Sequence, residues 1–116
     1  MSTTVLIIDE DESVTRSLVR LLSVHEFAVR GETSAANAMA AALESRPAVI
    51  LIDLHMSHCS GIELARQIRS EASLRGARLI AMSATVPDWD TDALAVFDVV
   101  LAKPFLAETL LTAIRG

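Results

Sequence analysis

The sequence is poor in cysteine and in long apolar runs. Its one cysteine, Cys59, cannot form an internal disulfide bond, which agrees with a reducing compartment. No apolar run approaches the roughly 18 residues that span a bilayer. The first residues also lack the basic-then-apolar pattern of a signal peptide. These absences predict a cytoplasmic protein that does not enter a membrane.

Clustered positive charge, internal repeats and linkers are also absent. The formal net charge is −5, whereas nucleic-acid binding depends on clustered Lys and Arg that neutralise phosphates. We therefore expect no direct nucleic-acid partner. The chain has 116 residues, 52% of them hydrophobic and 22% charged, and no low-complexity tract. Residues 1–116 are therefore predicted to form a single folded domain.

The apolar pattern alternates between strands and helices along the chain. Short runs rich in β-branched residues predict strands, and apolar residues three or four positions apart predict helices. Strands are predicted at 4–8, 28–32, 49–52, 78–82 and 99–102, and helices from about 14, at 35–44 with Ser34 as N-cap, after Gly61, at 92–96 and at 106–114. Strands separated by helices favour a parallel sheet covered on both faces.

Polar residues stand where the predicted strands end. They are Asp9 and Glu10 after the first strand, Asp53 after the third, Ser83 after the fourth and Lys103 after the fifth. In parallel sheets ligands bind at the carboxyl ends of the strands. Three carboxylates at one edge repel one another, so the set predicts a hard, oxygen-preferring cation such as Mg²⁺.

The same set predicts a phosphoryl site. Mg²⁺ and a lysine can share the charge of one phosphoryl oxygen while a hydroxyl donates to another. Asp53 is the predicted acceptor because it stands alone at the end of a central strand. Asp9 and Glu10 form a pair that is better suited to metal binding. Attack on the phosphoryl donor is expected to be in line.

Each of these residues also has a purely structural interpretation. Acidic residues after a strand often cap the next helix, which explains Asp9 and Glu10 as well as metal binding does. Asp53 and Ser83 are each compatible with an ordinary loop or turn. Lys103-Pro104 is typical of a turn that ends a strand, and a cis peptide bond is one form of it. The functional prediction therefore depends on the ordered set.

From Val5-Leu-Ile-Ile-Asp-Glu-Asp-Glu-Ser-Val14 to Leu101-Ala-Lys-Pro-Phe105, the chain resembles receiver domains of two-component response regulators. The resemblance implies an α/β, flavodoxin-like (βα)5 fold, with a parallel sheet of order 2-1-3-4-5 and helices on both faces. It implies phosphorylation of Asp53 by a histidine kinase, a histidine phosphotransfer protein or a small phosphodonor, with Mg²⁺ or Mn²⁺. Such a domain is a phosphoacceptor rather than an enzyme, and it signals to an effector or output domain, in some cases as a homodimer.

The resemblance also implies a role for each site residue. The implied metal ligands are Asp9, Glu10, Asp53 and the backbone carbonyl of His55, with Glu10 at the direct metal position. Ser83 and Lys103 match the residues that contact the phosphoryl group.

Four features depart from the family pattern. Glu10 stands where aspartate is usual, and Ser57 stands where proline is usual. Val100 replaces the Tyr or Phe that couples the hydroxyl residue to the face formed by the fourth helix, fifth strand and fifth helix. The stretch before the fifth strand is short, which predicts a short or irregular fourth helix. We therefore expect phosphoryl chemistry with an altered output surface.

Two other functions stay open at this point. Ile8-Asp-Glu-Asp-Glu-Ser13 is similar to the start of haloacid dehalogenase-like phosphatases, in which Asp9 would be the nucleophile. A pseudo-receiver, which binds partners without being phosphorylated, is favoured by Glu10, Val100 and the altered fourth helix.

Two further features attract a functional interpretation. His55, His58 and Cys59 suggest a zinc site, but no second ligand pair accompanies them, and loop composition explains them better. Trp89, the only tryptophan, is predicted to pack near the site and to report on it by fluorescence.

Overall fold

Five parallel strands form one sheet in the order β2-β1-β3-β4-β5. The computed structural model describes residues 3–57, 60–84 and 91–116. The strands are β1 (Thr4–Ile8), β2 (Ala28–Glu32), β3 (Val49–Asp53), β4 (Arg78–Ser83) and β5 (Val99–Ala102). The helices are α1 (Glu12–Val24), α2 (Ala35–Ser45), α3 (Gly61–Ser70), α4 (Thr91–Leu94) and α5 (Ala107–Arg115). The predicted flavodoxin-like arrangement is confirmed.

Helices cover both faces of the sheet over two apolar layers. Side chains alternate along each strand, so Ile50 and Ile52 of β3 pack into one layer and Leu51 packs into the other. Residues of α2 and α3 complete the first layer, and residues of α1 and α5 complete the second. None of the helices in the described part of the chain is long and apolar enough to cross a membrane.

The predicted strands agree closely with the structure. β1, β2 and β5 have the predicted bounds. Asp53 and Ser83, which the sequence places just after two strands, are instead the last residues of β3 and β4. The ladder continues to that point because Asp53 pairs with Met82, and the next backbone N–H, of Leu54, donates to the Met82 carbonyl at 2.9 Å.

The helix ends need more correction. Ser34 occupies the N-cap position of α2, as predicted, although its side chain makes no capping hydrogen bond. The predicted short fourth helix is confirmed, although α4 spans Thr91–Leu94 and not 92–96. It ends early because the Phe97 N–H donates three residues back, to the Leu94 carbonyl, at 3.0 Å. A 3₁₀ turn at Ala72–Leu74 is not predicted by the sequence.

Gly61 lies where α3 begins against the end of β3. A Cβ atom at this position would lie 2.5 Å from the Asp53 carbonyl oxygen and 2.8 Å from Leu54 Cα. Both are backbone atoms, so the chain itself would have to shift. We expect Gly61→Ala to lower the free energy of unfolding by about 1–3 kcal/mol, as overpacking does.

Gly76→Ala is the matched control, because a Cβ atom there meets nothing within 4 Å. Urea unfolding followed by circular dichroism measures both variants. An equal loss of stability in the two would contradict the packing argument.

Candidate functional site

Four of the predicted site residues lie at the carboxyl edge of the sheet. Asp9 follows β1, Asp53 ends β3, Ser83 ends β4 and Lys103 follows β5. The chain holds Lys103 at this edge through its backbone N–H, which donates to the Ser83 carbonyl at 2.7 Å. The order of residues along the chain therefore becomes a spatial cluster, as the strand-end rule predicts.

The Lys103 ammonium group joins two buried carboxylates. Its Nζ atom lies 2.8 Å from Asp9 Oδ2 and 3.8 Å from Asp53 Oδ1. Asp9 is 1% exposed and Asp53 is 7% exposed. The Lys103–Pro104 peptide bond is cis, which is one of the forms that the sequence allows for this turn. Lys103 therefore pairs first with Asp9 and, at longer range, with Asp53.

Asp9 is fixed from two further sides. The Asp11 N–H donates to Asp9 Oδ1 at 3.0 Å, and the Thr15 hydroxyl donates to the Asp9 carbonyl at 2.9 Å. The Asp11 side chain caps α1 by accepting from the N–H groups of Ser13 and Val14. The capping interpretation therefore applies to Asp11, and the Asp9 carboxylate belongs to the site. The sequence alone does not predict the contact of Thr15 with Asp9. A small hydroxyl residue on the first turns of α1 is the feature from which it could have been inferred.

The Glu10 carboxylate is held by the loop after β3. The Ser57 N–H donates to Glu10 Oε1 and Oε2, each at 3.0 Å, and the Ser57 hydroxyl donates to Oε2 at 2.7 Å. The sequence predicts three carboxylates at one point. The structure brings together two of them, Asp9 and Asp53, and engages the third with Ser57.

Opposing effects act on the pKa of Asp53, and the result is a raised value. Burial is the largest cause, and the neighbouring Asp9 carboxylate raises the pKa further. The His55 N–H, which donates to Asp53 Oδ1 at 3.1 Å, lowers it, as do the charges of Lys103 and His55. The single lysine therefore does not fully compensate the two buried acids.

The His55 side chain contacts the predicted hydroxyl residue. His55 Nε2 lies 3.1 Å from the Oγ atom of the fully buried Ser83, within hydrogen-bonding distance. Neither role considered for His55 from the sequence, a metal-binding backbone carbonyl or a zinc-binding side chain, predicts this contact. The sequence does show a histidine two residues after Asp53, but the direction in which its side chain points depends on tertiary packing.

The residues present suit a hard cation. Among residues 3–57, 60–84 and 91–116, no three His, Cys, Asp or Glu side chains already converge as a metal-binding group. Asp9 and Asp53 nevertheless share one cationic group, and carboxylate and carbonyl oxygens are the ligands that Mg²⁺ prefers. The predicted zinc candidates His58 and Cys59, and the predicted reporter Trp89, lie outside the described residues.

Comparison with known proteins identifies the family. The family model for the response regulator receiver domain matches residues 5–115. Response regulator MprA of Mycobacterium bovis is 31% identical over 120 residues, covering 100% of this chain and 50% of that protein. MprA of Mycobacterium leprae is 31% identical over 116 residues, covering 97% of this chain and 49% of that protein. The chain belongs to the response regulator receiver domain family, whose members are signalling domains of two-component systems.

Solved structures agree with this assignment. Chemotaxis protein CheY4 of Vibrio cholerae superposes with a TM-score of 0.92 at 23% identity, covering 99% of this chain and 98% of that one, which shows the fold. A Burkholderia pseudomallei response regulator, with a phosphorylated aspartic acid, a calcium ion and citrate, has a TM-score of 0.88 at 26% identity, covering 97% and 66%. The chain spans about half the length of the curated relatives it matches. The haloacid dehalogenase-like alternative is not retained.

The raised pKa of Asp53 predicts a pH-dependent gain in stability for Asp53→Asn. Above the folded-state pKa, the wild-type protein bears the cost of an ionised, buried carboxylate beside Asp9, and asparagine does not. The variant should therefore be more stable at neutral pH. This advantage should shrink as pH falls through the raised pKa, because the wild-type carboxyl group then takes up a proton.

Urea unfolding between pH 4 and pH 8 measures this difference. Glu44→Gln, which makes the same chemical change at an exposed residue of α2 that pairs with Arg30 at 3.6 Å, is the control and should show no gain in stability at neutral pH. A wild-type curve parallel to that of Asp53→Asn would contradict the prediction.

Proposed function

We propose that Asp53 accepts a phosphoryl group in a Mg²⁺-dependent or Mn²⁺-dependent reaction, and that residues 1–116 act as one receiver domain. The observation that carries this proposal is the position of the Lys103 ammonium group, 2.8 Å from Asp9 and 3.8 Å from Asp53. One positive charge shared by two buried carboxylates favours the arrival of further positive charge and of a group that the lysine can bind. The donor would be a histidine kinase, a histidine phosphotransfer protein or a small phosphodonor.

The Asp53 carboxylate is suited to act as the nucleophile. Both contacts that the described residues make with it use Oδ1, through the His55 N–H at 3.1 Å and Lys103 at 3.8 Å. This arrangement orients Oδ2 for attack. An Asp53 oxygen would form the new bond to phosphorus while the bond from phosphorus to the donor nitrogen or oxygen breaks, and the donor would leave with that electron pair.

Lys103 and Ser83 would receive the transferred group. The Lys103 ammonium group already lies within 4 Å of Asp53, so a small movement away from Asp9 would let it bind a phosphoryl oxygen. The Ser83 hydroxyl would donate to another oxygen, after turning from its contact with His55 Nε2. Lys103 and Ser83 are also joined through their backbones at 2.7 Å, so the two donors share one support.

The ligands that we propose for Mg²⁺ are the side chains of Asp9, Glu10 and Asp53 and the backbone carbonyl of His55. When bound there, the cation would supply positive charge against the phosphoryl oxygens. The Burkholderia pseudomallei relative, which carries a phosphorylated aspartic acid and a calcium ion, supports a site of this kind. The proposed role is that of a phosphoacceptor, which assists only its own phosphorylation and dephosphorylation and is not an enzyme acting on other molecules. Its signal would pass to an effector or output domain, or to a second copy in a homodimer.

Phosphorylation predicts a gain in mass that depends on Asp53 and on the metal. Incubation with acetyl phosphate and Mg²⁺ should add one phosphoryl group to the wild-type protein, measured as intact mass. The gain should vanish in Asp53→Asn and after chelation with EDTA, and it should persist in the control Glu44→Gln. A gain in Asp53→Asn equal to that of wild type would exclude Asp53 as the acceptor.

A phosphorylation-independent pseudo-receiver is the second candidate. The engagement of Glu10 by Ser57 favours it, because a proposed metal ligand is already occupied within the protein. Circular dichroism of the same samples separates the two functions. A folded wild-type protein that gains no mass would support the pseudo-receiver.

The output surface is the second part of this proposal. Val100 stands on β5 opposite Ala81 and packs, partly buried, against the layer that contains α2 and α3. A valine cannot reach as far as the Tyr or Phe usual at this position, so we expect phosphorylation to change the α4–β5–α5 face weakly. The variant Val100→Tyr should strengthen that change.

Hydrogen–deuterium exchange with and without beryllofluoride and Mg²⁺ tests this idea. The ligand-induced change in exchange over β5 and α4 should be larger in Val100→Tyr than in wild type. Val99→Tyr is the control, because Val99 packs on the opposite layer. Equal changes in wild type and Val100→Tyr would leave the altered-output idea without support.

A further inference from the structure

Ser57, in the loop after β3, donates hydrogen bonds to the Glu10 carboxylate. Ser57 contributes both its backbone N–H, at 3.0 Å from each carboxylate oxygen, and its hydroxyl, at 2.7 Å from Oε2. The two residues are 47 positions apart in the sequence. Their contact therefore ties the loop after β1 to the loop after β3 across the mouth of the site.

The contact depends on both residue types. A proline at position 57 would have no N–H and no hydroxyl to donate. An aspartate at position 10 is shorter by one methylene and would not carry its carboxylate as far. Hydrogen bonds to an ionised acceptor are shorter and stronger than neutral ones, so this pairing competes effectively for the carboxylate.

Ser57 already donates to the Glu10 carboxylate that the proposed metal site would use. Asp9 and Asp53 lie together around Lys103, but in the described part of the chain no third acidic, histidine or cysteine side chain joins them as a metal-binding group. A metal–oxygen contact between Glu10 and a cation held by Asp9 and Asp53 would compete with the hydrogen bonds from Ser57 for the same two carboxylate oxygens.

We propose that Ser57 is a positioning residue that competes with the divalent cation for the Glu10 carboxylate. Cation binding then releases Ser57 and loosens the link between the two loops, so metal occupancy and loop mobility are coupled. This inference rests on the proposed function, because it takes Glu10 as a ligand of that metal site. Ser57 would therefore help to set the affinity of the site for the metal, although it is not itself a proposed ligand.

Isothermal titration of the metal-free protein with Mg²⁺ measures the competition. Ser57→Ala keeps the N–H and loses the hydroxyl, and its affinity should tighten by about threefold. Ser57→Pro loses both donors and should tighten by about tenfold. Ser57→Thr keeps both and should match wild type. Ser70→Ala removes a hydroxyl that bonds only the Gln67 carbonyl, at the end of α3, and should also match wild type.

A second readout follows the released donor directly. In nuclear magnetic resonance spectra, the Ser57 amide of the metal-free protein should exchange slowly with solvent, and saturation with Mg²⁺ should accelerate its exchange. Glu10→Gln should accelerate it without metal, because a neutral amide accepts these hydrogen bonds more weakly. Ser57→Ala keeps the affinity test valid if Ser57→Pro fails to fold.

The outcomes separate this inference from the proposed function. Tighter binding in Ser57→Ala and Ser57→Pro, with Ser57→Thr unchanged, supports the competition. Equal or weaker binding in these variants overturns it and leaves the metal-dependent function intact. No binding by any of the proteins overturns both.

Discussion

Two acidic side chains buried beside each other set the character of this molecule. Removing an ion from water costs several kcal/mol even after the protein relaxes, and Asp9 and Asp53 are both almost fully buried. One lysine between two carboxylates leaves one negative charge uncompensated. Burial raises the pKa of Asp53, and the neighbouring Asp9 carboxylate raises it further. The edge of the sheet is therefore prepared to accept positive charge.

The rest of the fold holds this arrangement in place. Apolar layers on both faces of the sheet fix the five strands. The register between neighbouring strands sets the residue at which each strand leaves the sheet. Because Gly61 has no side chain, α3 can begin close against the Asp53 carbonyl at the end of β3. The Thr15 hydroxyl holds the backbone of Asp9 against α1 by donating a hydrogen bond to the Asp9 carbonyl. Because the core holds their backbones, the two carboxylates can separate only by side-chain rotation.

The sequence predicted the features that depend on periodicity and order. Apolar runs define the strands, so the gathering of Asp9, Asp53 and Lys103 follows from the rule for strand ends. Contacts that depend on side-chain rotamers could not be predicted: Ser34 is the N-cap residue of α2, yet its side chain makes no capping hydrogen bond. The His55 contact with Ser83 is of the same kind, because it depends on how the loop after β3 packs against the end of β4 and not on spacing along the chain.

Two departures from the family pattern that look independent in the sequence prove to be one physical feature. Glu10 is longer than the usual aspartate and Ser57 has donors that the usual proline lacks, and the structure joins them by three hydrogen bonds. Val100 is a separate departure from the family pattern, because it lies on β5 and packs against the core. We therefore propose that the choice between a receiver and a pseudo-receiver depends first on the competition between Ser57 and a cation for the Glu10 carboxylate. A cation that wins this competition can complete the site, whereas one that loses leaves the two loops tied together.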